Sequence, residues 1–203
     1  MKTVLIILGV LAALAVVVVL YVSGVYNGLV NRAQAVDAQW AQVQNVYQRR
    51  ADLIPNLVAT VSGAANFEKS TLTEITNARA SVGKVQLNAN GAPNAAQLAQ
   101  FEQAQGALSS ALSRLLVVAE NYPSLKATAN FSELQAQLEG TENRISVERG
   151  RFNDLAREYN SAIKRVPAVF IAGFAGYTEK SYFAAKPGAD TPPPVQFDFN
   201  KKS

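Results

Sequence analysis

The stretch from Tyr26 to Val61 carries an apolar pattern that few folds other than a helical bundle accommodate. At alternating steps of four and three residues, its side chains fall on one line: Leu29, Ala33, Val36, Trp40, Val43, Tyr47, Arg50, Ile54, Leu57 and Val61. This spacing is typical of a helix seam that packs against partner helices. All members of the line are apolar except Arg50, so the stretch predicts the first wall of a helical core with one charge inside it.

A membrane-length apolar run, Val4 to Val22, precedes this stretch without a strong helix breaker. Its nineteen residues carry no charge and, as a helix, would span about 28 Å, close to the thickness of a bilayer core. A cleaved signal peptide is the alternative, but the nearest cleavage-site pattern, Ala33-Gln34-Ala35, lies far downstream. We therefore predict a single-pass transmembrane anchor over residues 1–25. Lys2 before the run favours an inside N terminus and a helical domain outside the cytoplasm.

Three more helices are predicted from their N-terminal caps. Asn66 is expected to cap the second helix, and Asn94 with Gln97 forms a capping-box pattern before the third. Asn130 with Glu133 gives a similar start for the fourth. The buried face of the third helix is predicted to consist of Leu98, Phe101, Leu108, Leu112, Leu115 and Ala119.

The fourth helix carries a heptad seam that ends at Pro167. One line of the seam contains Phe131, Leu138, Ile145, Phe152 and Tyr159, and its companion contains Leu134, Thr141, Glu148, Leu155 and Ala162. No strand pattern of useful length occurs. The predicted fold class is therefore all-α, with the transmembrane helix continuing into an antiparallel four-helix bundle over residues 26–165.

Residues 166–185 form a second apolar segment, too short to span a bilayer. An even number of antiparallel helices returns the chain to the level at which it left the membrane, so this segment is expected beside lipid. The predicted membrane-proximal residues are Tyr26, Phe170, Phe174, Tyr177, Tyr182 and Phe183. The alternative is that the segment folds back and caps the base of the bundle. Residues 186–203, which include three consecutive prolines, are predicted to be a flexible tail.

Charged residues near the apolar seams predict a polar layer. Arg50 and Glu148 interrupt the seams of the first and fourth helices, and Glu142 and Arg144 lie near the level of Arg50 in an antiparallel bundle. One interpretation is a buried ion-pair layer that fixes helix register, since an unpaired buried charge costs about 3–5 kcal/mol. The other is a ligand or ion site in the bundle core.

Pro55 lies inside the first helix. A proline there removes one backbone hydrogen bond and crowds the carbonyl of Ala51, so a kink is predicted between these residues. Asp52 either satisfies backbone groups loosened by the kink or belongs to a recognition patch on the bend.

The composition excludes several kinds of chemistry. The chain has no cysteine and no histidine, so thiolate chemistry and His-dependent hydrolysis are impossible and the commonest metal ligand is missing. The net charge of +4 comes from bases that are dispersed among acids, which argues against nucleic-acid binding. We expect no enzyme activity, no cofactor and no metal site.

Several motifs together resemble the LemA family of bacterial membrane proteins. In chain order they are Tyr26-Asn27-Gly28-Leu29-Val30, Gln48 to Val58, Glu120 to Ala127, Thr141 to Ile145, Tyr159-Asn160 and Tyr182-Phe183. The resemblance implies a single-pass, all-helical protein of the bacterial plasma (inner) membrane. Some family members are encoded beside a membrane metallopeptidase of the HtpX type, which implies a protease-associated role. Asn66 and Phe67 stand where a histidine is expected, so no metal or proton role is carried over.

The predicted function is that of a membrane-anchored interaction or scaffold protein of the cell envelope. Its expected partners are the lipid bilayer and a membrane protein, with a metallopeptidase as one candidate, and a homo-oligomer is a further option. The alternative is a membrane-bound enzyme or ligand-binding protein that uses the layer of Arg50, Glu142 and Glu148. A solvent-accessible pocket at that layer would favour this alternative, whereas a dry, fully paired layer would favour a structural role.

We expect the apolar run to remain attached to the mature chain. Because no cleavage site follows it closely, the intact mass of the membrane-extracted protein should be that of a chain that includes Val4 to Val22. A mature chain that begins beyond Val22 would contradict the predicted anchor.

Overall fold

The computed structural model describes residues 2–63, 67–86 and 91–184, and within these ranges it contains six helices and no strand. In chain order the helices are α1 (Lys2–Ser62), α2 (Lys69–Gly83), α3 (Ala95–Ala119), α4 (Pro123–Lys126), α5 (Ala129–Lys164) and α6 (Ala168–Phe174). The predicted all-α class is confirmed. Two short helices, α4 and α6, add to the expected four. Each follows a chain turn at a proline, Pro123 at the first position of α4 and Pro167 at the N-cap of α6.

The first helix joins two different environments without a break. Its 61 residues correspond to a length of about 90 Å. Every side chain from Val4 to Val22 is exposed, and α1 is long and apolar enough to cross a membrane. The second half buries the predicted seam, except that Ala33 is half-buried and Leu53 joins the buried set. One helix therefore supplies both a candidate membrane span and a wall of the core.

The second half of α1 packs along α5 and contributes to two core clusters. Gln39 contacts Glu148 and Arg50 contacts Glu142, so α5 runs antiparallel to α1. An aromatic cluster forms the core on the side of the apolar run, where the Trp40 ring lies near the rings of Phe101, Phe152 and Phe183 at 5.4, 5.7 and 6.0 Å. A mainly aliphatic cluster forms the far half of the core and includes Leu57, Val61, Ile75, Leu108, Leu115 and Phe131.

Two of the three predicted helix starts need correction. Helix α2 has Glu68 at its N-cap, and Asn66 lies outside the described residues. Helix α5 is capped by Thr128, whose hydroxyl oxygen accepts a hydrogen bond from the Phe131 N–H at 3.4 Å, while Asn130 lies inside the helix. Thr128 lies three residues before Phe131, just as Asn130 lies three residues before Glu133. The predicted cap spacing is therefore present, but the helix begins two residues earlier than predicted. The capping box predicted for α3 is confirmed.

Helix α1 continues through Pro55, and α2 supplies a hydrogen bond in place of the one that the proline removes. The carbonyl of Ala51, which would normally accept from residue 55, instead accepts from Arg79 Nε of α2 at 3.1 Å. Asp52 does not satisfy these freed groups. Its carboxylate accepts from Gln48 Nε2 at 2.8 Å, one turn earlier on the exposed face of α1.

The contact between Arg79 and Ala51 should matter only while residue 55 is proline. We expect Arg79→Met to lower the free energy of unfolding by about 0.5–1 kcal/mol in the wild-type background. In a Pro55→Ala background the new N–H of residue 55 satisfies the Ala51 carbonyl, so the same substitution should cost close to nothing. Denaturant titration of the four proteins in detergent measures this coupling. Equal costs in both backgrounds would show that Arg79 does not replace the missing backbone bond.

Candidate functional site: a polar cleft around Arg50

Arg50 lies on the buried face of α1 and connects three helices. Its side chain is only 2% exposed. Nη1 donates to the Ser109 hydroxyl at 2.9 Å and to the Glu142 carboxylate at 2.8 Å. Nη2 donates to the side-chain carbonyl of Gln105 and, at 3.4 Å, to its backbone carbonyl. The guanidinium also lies 5.1 Å from the centre of the Tyr47 ring, so Arg50 is held by α1, α3 and α5 together.

The structure brings only part of the predicted polar layer together. Glu142 pairs with Arg50, but its side chain is 52% exposed, so the pair reaches the surface. Glu148 accepts from Gln39 Nε2 at 2.6 Å and from Arg151 Nη1 at 2.8 Å, and Arg144 is exposed. At 100° per residue, Glu148 points about 120° away from Glu142 and Arg144 about 160° away. Neither therefore lies on the side of α5 that carries Glu142, and the prediction that they share this layer is wrong.

An open cleft of about 790 Å³ lies beside Arg50, between α3 and α5. Small and polar residues of α3 form one wall: Gln103, Gln105, Gly106, Ser109, Ser110 and Ser113. Glu142 and Arg149 of α5 form the other, and Ala184 lies at the rim. The Arg50 layer is therefore open to solvent on one side, which a purely structural layer would not be.

A second ion pair, between Glu102 of α3 and Arg149 of α5, closes one end of the cleft. The two side chains meet at 2.8 Å, and Arg149 Nη2 also donates to the Ala184 carbonyl at 3.1 Å. Burial raises the pKa of Glu102, although Arg149 and the backbone N–H of Ala184 act in the opposite direction. Sequence reasoning missed this pair because neither residue lies on an apolar seam and its partner is on another helix.

The strap, residues 178–184, is a non-helical segment that returns along α5 and is held by two asparagines. Asn160 donates to the Lys180 carbonyl and accepts from the Lys180 N–H, both at 2.8 Å. Asn153 bonds the carbonyl and N–H of Phe183 in the same way at 3.0 and 2.9 Å. Seven helical residues rise about 10.5 Å and three extended residues about 10 Å, so both pairs form at once. A match of this kind between a helix and an extended segment leaves no periodic pattern in the sequence, so the sequence does not predict it.

The predicted membrane-proximal residues separate into two groups. Tyr26 contacts Tyr177 with ring centres 6.3 Å apart, and α6 exposes Phe170 and Phe174, the latter by 98%. Phe183, by contrast, is 5% exposed and packs in the aromatic cluster, and the Tyr182 hydroxyl accepts from the Asn160 amide at 2.8 Å. The prediction is wrong for Phe183, which is buried in the aromatic core, whereas Tyr182 is 45% exposed and its position beside lipid stays a prediction.

Comparison with known proteins decides the family. A profile of the LemA family matches residues 39–197. The chain belongs to the LemA family. Magnetosome protein MamQ of Magnetospirillum gryphiswaldense is 27% identical over 187 residues, which cover 82% of this chain and 67% of MamQ. Magnetosome proteins MamQ 1 and MamQ 2 of Paramagnetospirillum magneticum are each 27% identical over 189 residues with the same coverage.

The region matched to the LemA family contains both the cleft and the strap. Together with the exposed apolar half of α1, the match identifies a membrane-associated helical protein. Among the residues that the structure describes, no group of three or more acidic side chains is arranged to hold a metal ion. The chemistry that this LemA-family cleft offers is ion pairing and hydrogen bonding from arginine, glutamate, glutamine and serine.

We expect Arg50→Met to lower the free energy of unfolding by about 3 kcal/mol. The main cause is Gln105, which is buried and would lose the partner of its side-chain carbonyl, whereas the half-exposed Glu142 can be solvated. Arg50→Met with Gln105→Leu should therefore recover part of the loss, and Glu142→Gln alone should cost about 1 kcal/mol or less. Denaturant titration of the full chain in detergent provides the double-mutant cycle.

The matched control is Arg144→Met, which removes an exposed arginine from α5 and should change stability by less than about 0.5 kcal/mol. If Arg50→Met unfolds at the same denaturant concentration as this control, Arg50 does not connect the three helices as described.

Proposed function

We propose that this LemA-family protein is a membrane-anchored scaffold of the bacterial cell envelope that presents its cleft to a partner at a fixed distance from the bilayer. The continuity of α1 carries the proposal. The same helix contains the exposed apolar run and Arg50, and the 28 residues from Val22 to Arg50 correspond to about 42 Å. An unbroken helix packed along α5 holds that distance far better than a flexible linker would.

The proposed location is the plasma (inner) membrane, crossed once by the apolar half of α1. Lys2 precedes the run and Arg32 is the first charged residue after it. The basic residue at the start supports an N terminus on the cytoplasmic side and a helical domain outside the cytoplasm. The curated relatives are named as magnetosome proteins, a name that associates them with a bacterial assembly and not with a reaction.

The proposed partners are the lipid bilayer and another membrane protein. Helix α6 and the turn before it support the first, because Val166 in the turn and Phe170 and Phe174 in the helix are exposed apolar side chains on the same side of the fold as Tyr26. The cleft supports the second, since its rim combines two arginine–glutamate pairs with a wall of small side chains. A membrane metallopeptidase is the partner that we propose to test first, and a second copy of the chain is the competing one.

A ligand-binding role is the second candidate, and the volume of the cleft favours it. About 790 Å³ of open space beside the Arg50–Glu142 pair falls in the size range of small-molecule sites. Glu148 would not take part, because it bonds Gln39 and Arg151 outside the cleft.

Photocrosslinking in intact membranes tests the scaffold proposal. A photoreactive residue at Gln103, which is exposed and lines the cleft, should give an adduct with a membrane protein that mass spectrometry identifies. Asn77 on α2 is the matched control, since it is exposed and lies outside the cleft, and it should not give that adduct. A metallopeptidase adduct supports the protease-associated role, and an adduct of the chain with itself supports a homo-oligomer.

Two outcomes count against the scaffold. Equal adducts at Gln103 and Asn77 would show that the cleft has no part in the contact. A cleft that yields no protein adduct, with a small molecule retained by the purified wild type and lost from Arg149→Gln, would favour the ligand-binding candidate.

A further inference from the structure

A second groove opens where α1 leaves its apolar run. It has a volume of about 520 Å³ and lies between α1 and the junction of α5 with α6. On α1 its wall rises from Leu20 through Gly24 and Gly28 to Arg32, residues four apart that share one helix face. The wall opposite consists of Ala162, Arg165, Val166, Pro167 and Ala168. The two glycines lack side chains, so the face of α1 is recessed between an apolar lower part and a charged upper part.

Among the residues that the structure describes, Arg32 and Arg165 are the only charged ones that line this groove. Arg32 Nη1 donates to the Gly28 carbonyl at 3.1 Å, and within the described part of the chain neither arginine has a carboxylate partner. Two nearby basic residues, by contrast, are paired with carboxylates: Arg157 with Asp154 at 2.7 Å and Lys164 with Glu179 at 2.9 Å. Two guanidinium groups are thus left uncompensated at one opening.

An adjoining groove of about 300 Å³ shares Arg32, Ala162 and Arg165 with the first. It also contains Glu158, whose carboxylate forms no ion pair with either arginine in the described structure. Neither arginine is therefore neutralised by an ion pair, although Glu158 lines the same adjoining groove.

The height of the arginines matches the surface of a bilayer that α1 spans. Helical side chains lean toward the N terminus, and the Arg32 guanidinium accordingly reaches back to the level of Gly28. That level is six residues, or about 9 Å, beyond Val22. Val166, in the turn before α6, and Phe170 of α6 are exposed beside this level. Below the arginines the groove is apolar, and above them the surface is polar, which is the profile of a phospholipid.

We propose that this groove binds the headgroup phosphate of an anionic phospholipid between Arg32 and Arg165, with an acyl chain along Leu20, Tyr21 and Val25. The planar fork of a guanidinium matches two phosphate oxygens. The positive group of a zwitterionic headgroup would be repelled by the two arginines. The groove therefore favours a lipid with a net negative charge. The inference rests on the proposed function in one respect, that α1 spans the bilayer.

Native mass spectrometry of the full chain tests the site. The protein is reconstituted in nanodiscs with equal amounts of phosphatidylglycerol and phosphatidylcholine, released into the instrument, and the retained lipids are counted. The wild type should retain one phosphatidylglycerol in preference to phosphatidylcholine. Arg32→Gln with Arg165→Gln should reduce this preference roughly 25-fold, at about fivefold for each arginine. The double lysine variant, which keeps the charge but loses the fork, should fall between the two.

The matched control removes two exposed arginines of α5 outside the groove, Arg144→Gln with Arg151→Gln, and should behave like the wild type. The inference is overturned if this control loses the preference equally, if the Arg32/Arg165 variant keeps it, or if inorganic phosphate at millimolar concentration displaces the lipid. If α1 does not span the bilayer, the wild type and every variant should fail to incorporate into nanodiscs. That outcome is distinct from the loss of the lipid site in one variant.

Discussion

The antiparallel contact between α1 and α5 sets the position of every site described above. Helix α5 has 36 residues, about 54 Å, and its seam faces that of α1 over most of this length. The register of the contact places Arg50 opposite Glu142 at one level and Gln39 opposite Glu148 at another. Because each seam is apolar, a slip by one residue would turn buried side chains outward along both helices, so the core itself holds the register.

Within this seam Arg50 is the costly exception. A guanidinium removed from water is destabilising unless its donors are used, and here two of its nitrogens find partners on α3 and α5. Among the described residues its Nε remains buried without a hydrogen-bond partner. Replacing Arg50 alone would leave the buried side-chain carbonyl of Gln105 without a donor, so Arg50 and Gln105 stabilise the core only as a pair.

The parts of the fold that repeat along one helix could be predicted, and the parts that depend on two elements could not. Heptad spacing identified the buried line of α1 and the line of α5 from Phe131 to Tyr159, and Asn94 with Gln97 identified a cap, because these signals lie within one segment. The cap at Thr128 was missed since Asn130, two residues on, is the better cap residue by type. The pair Glu102–Arg149 and the bonds of Asn153 to Phe183 arise only after tertiary packing brings distant segments together. Phe183 was misplaced for the same reason: aromatic character alone does not distinguish a lipid surface from an aromatic core.

The continuity of α1 makes the helical domain a lever. With the apolar half of the helix seated in a bilayer, the helical domain cannot change its orientation independently of the tilt of that half. Transmembrane helices tilt by tens of degrees to match bilayer thickness, and a tilt of about 10° over a 42 Å arm would move Arg50 sideways by roughly 7 Å. A change in membrane thickness would therefore change the position of the cleft, because no flexible segment lies between the apolar run and Arg50 to absorb the tilt.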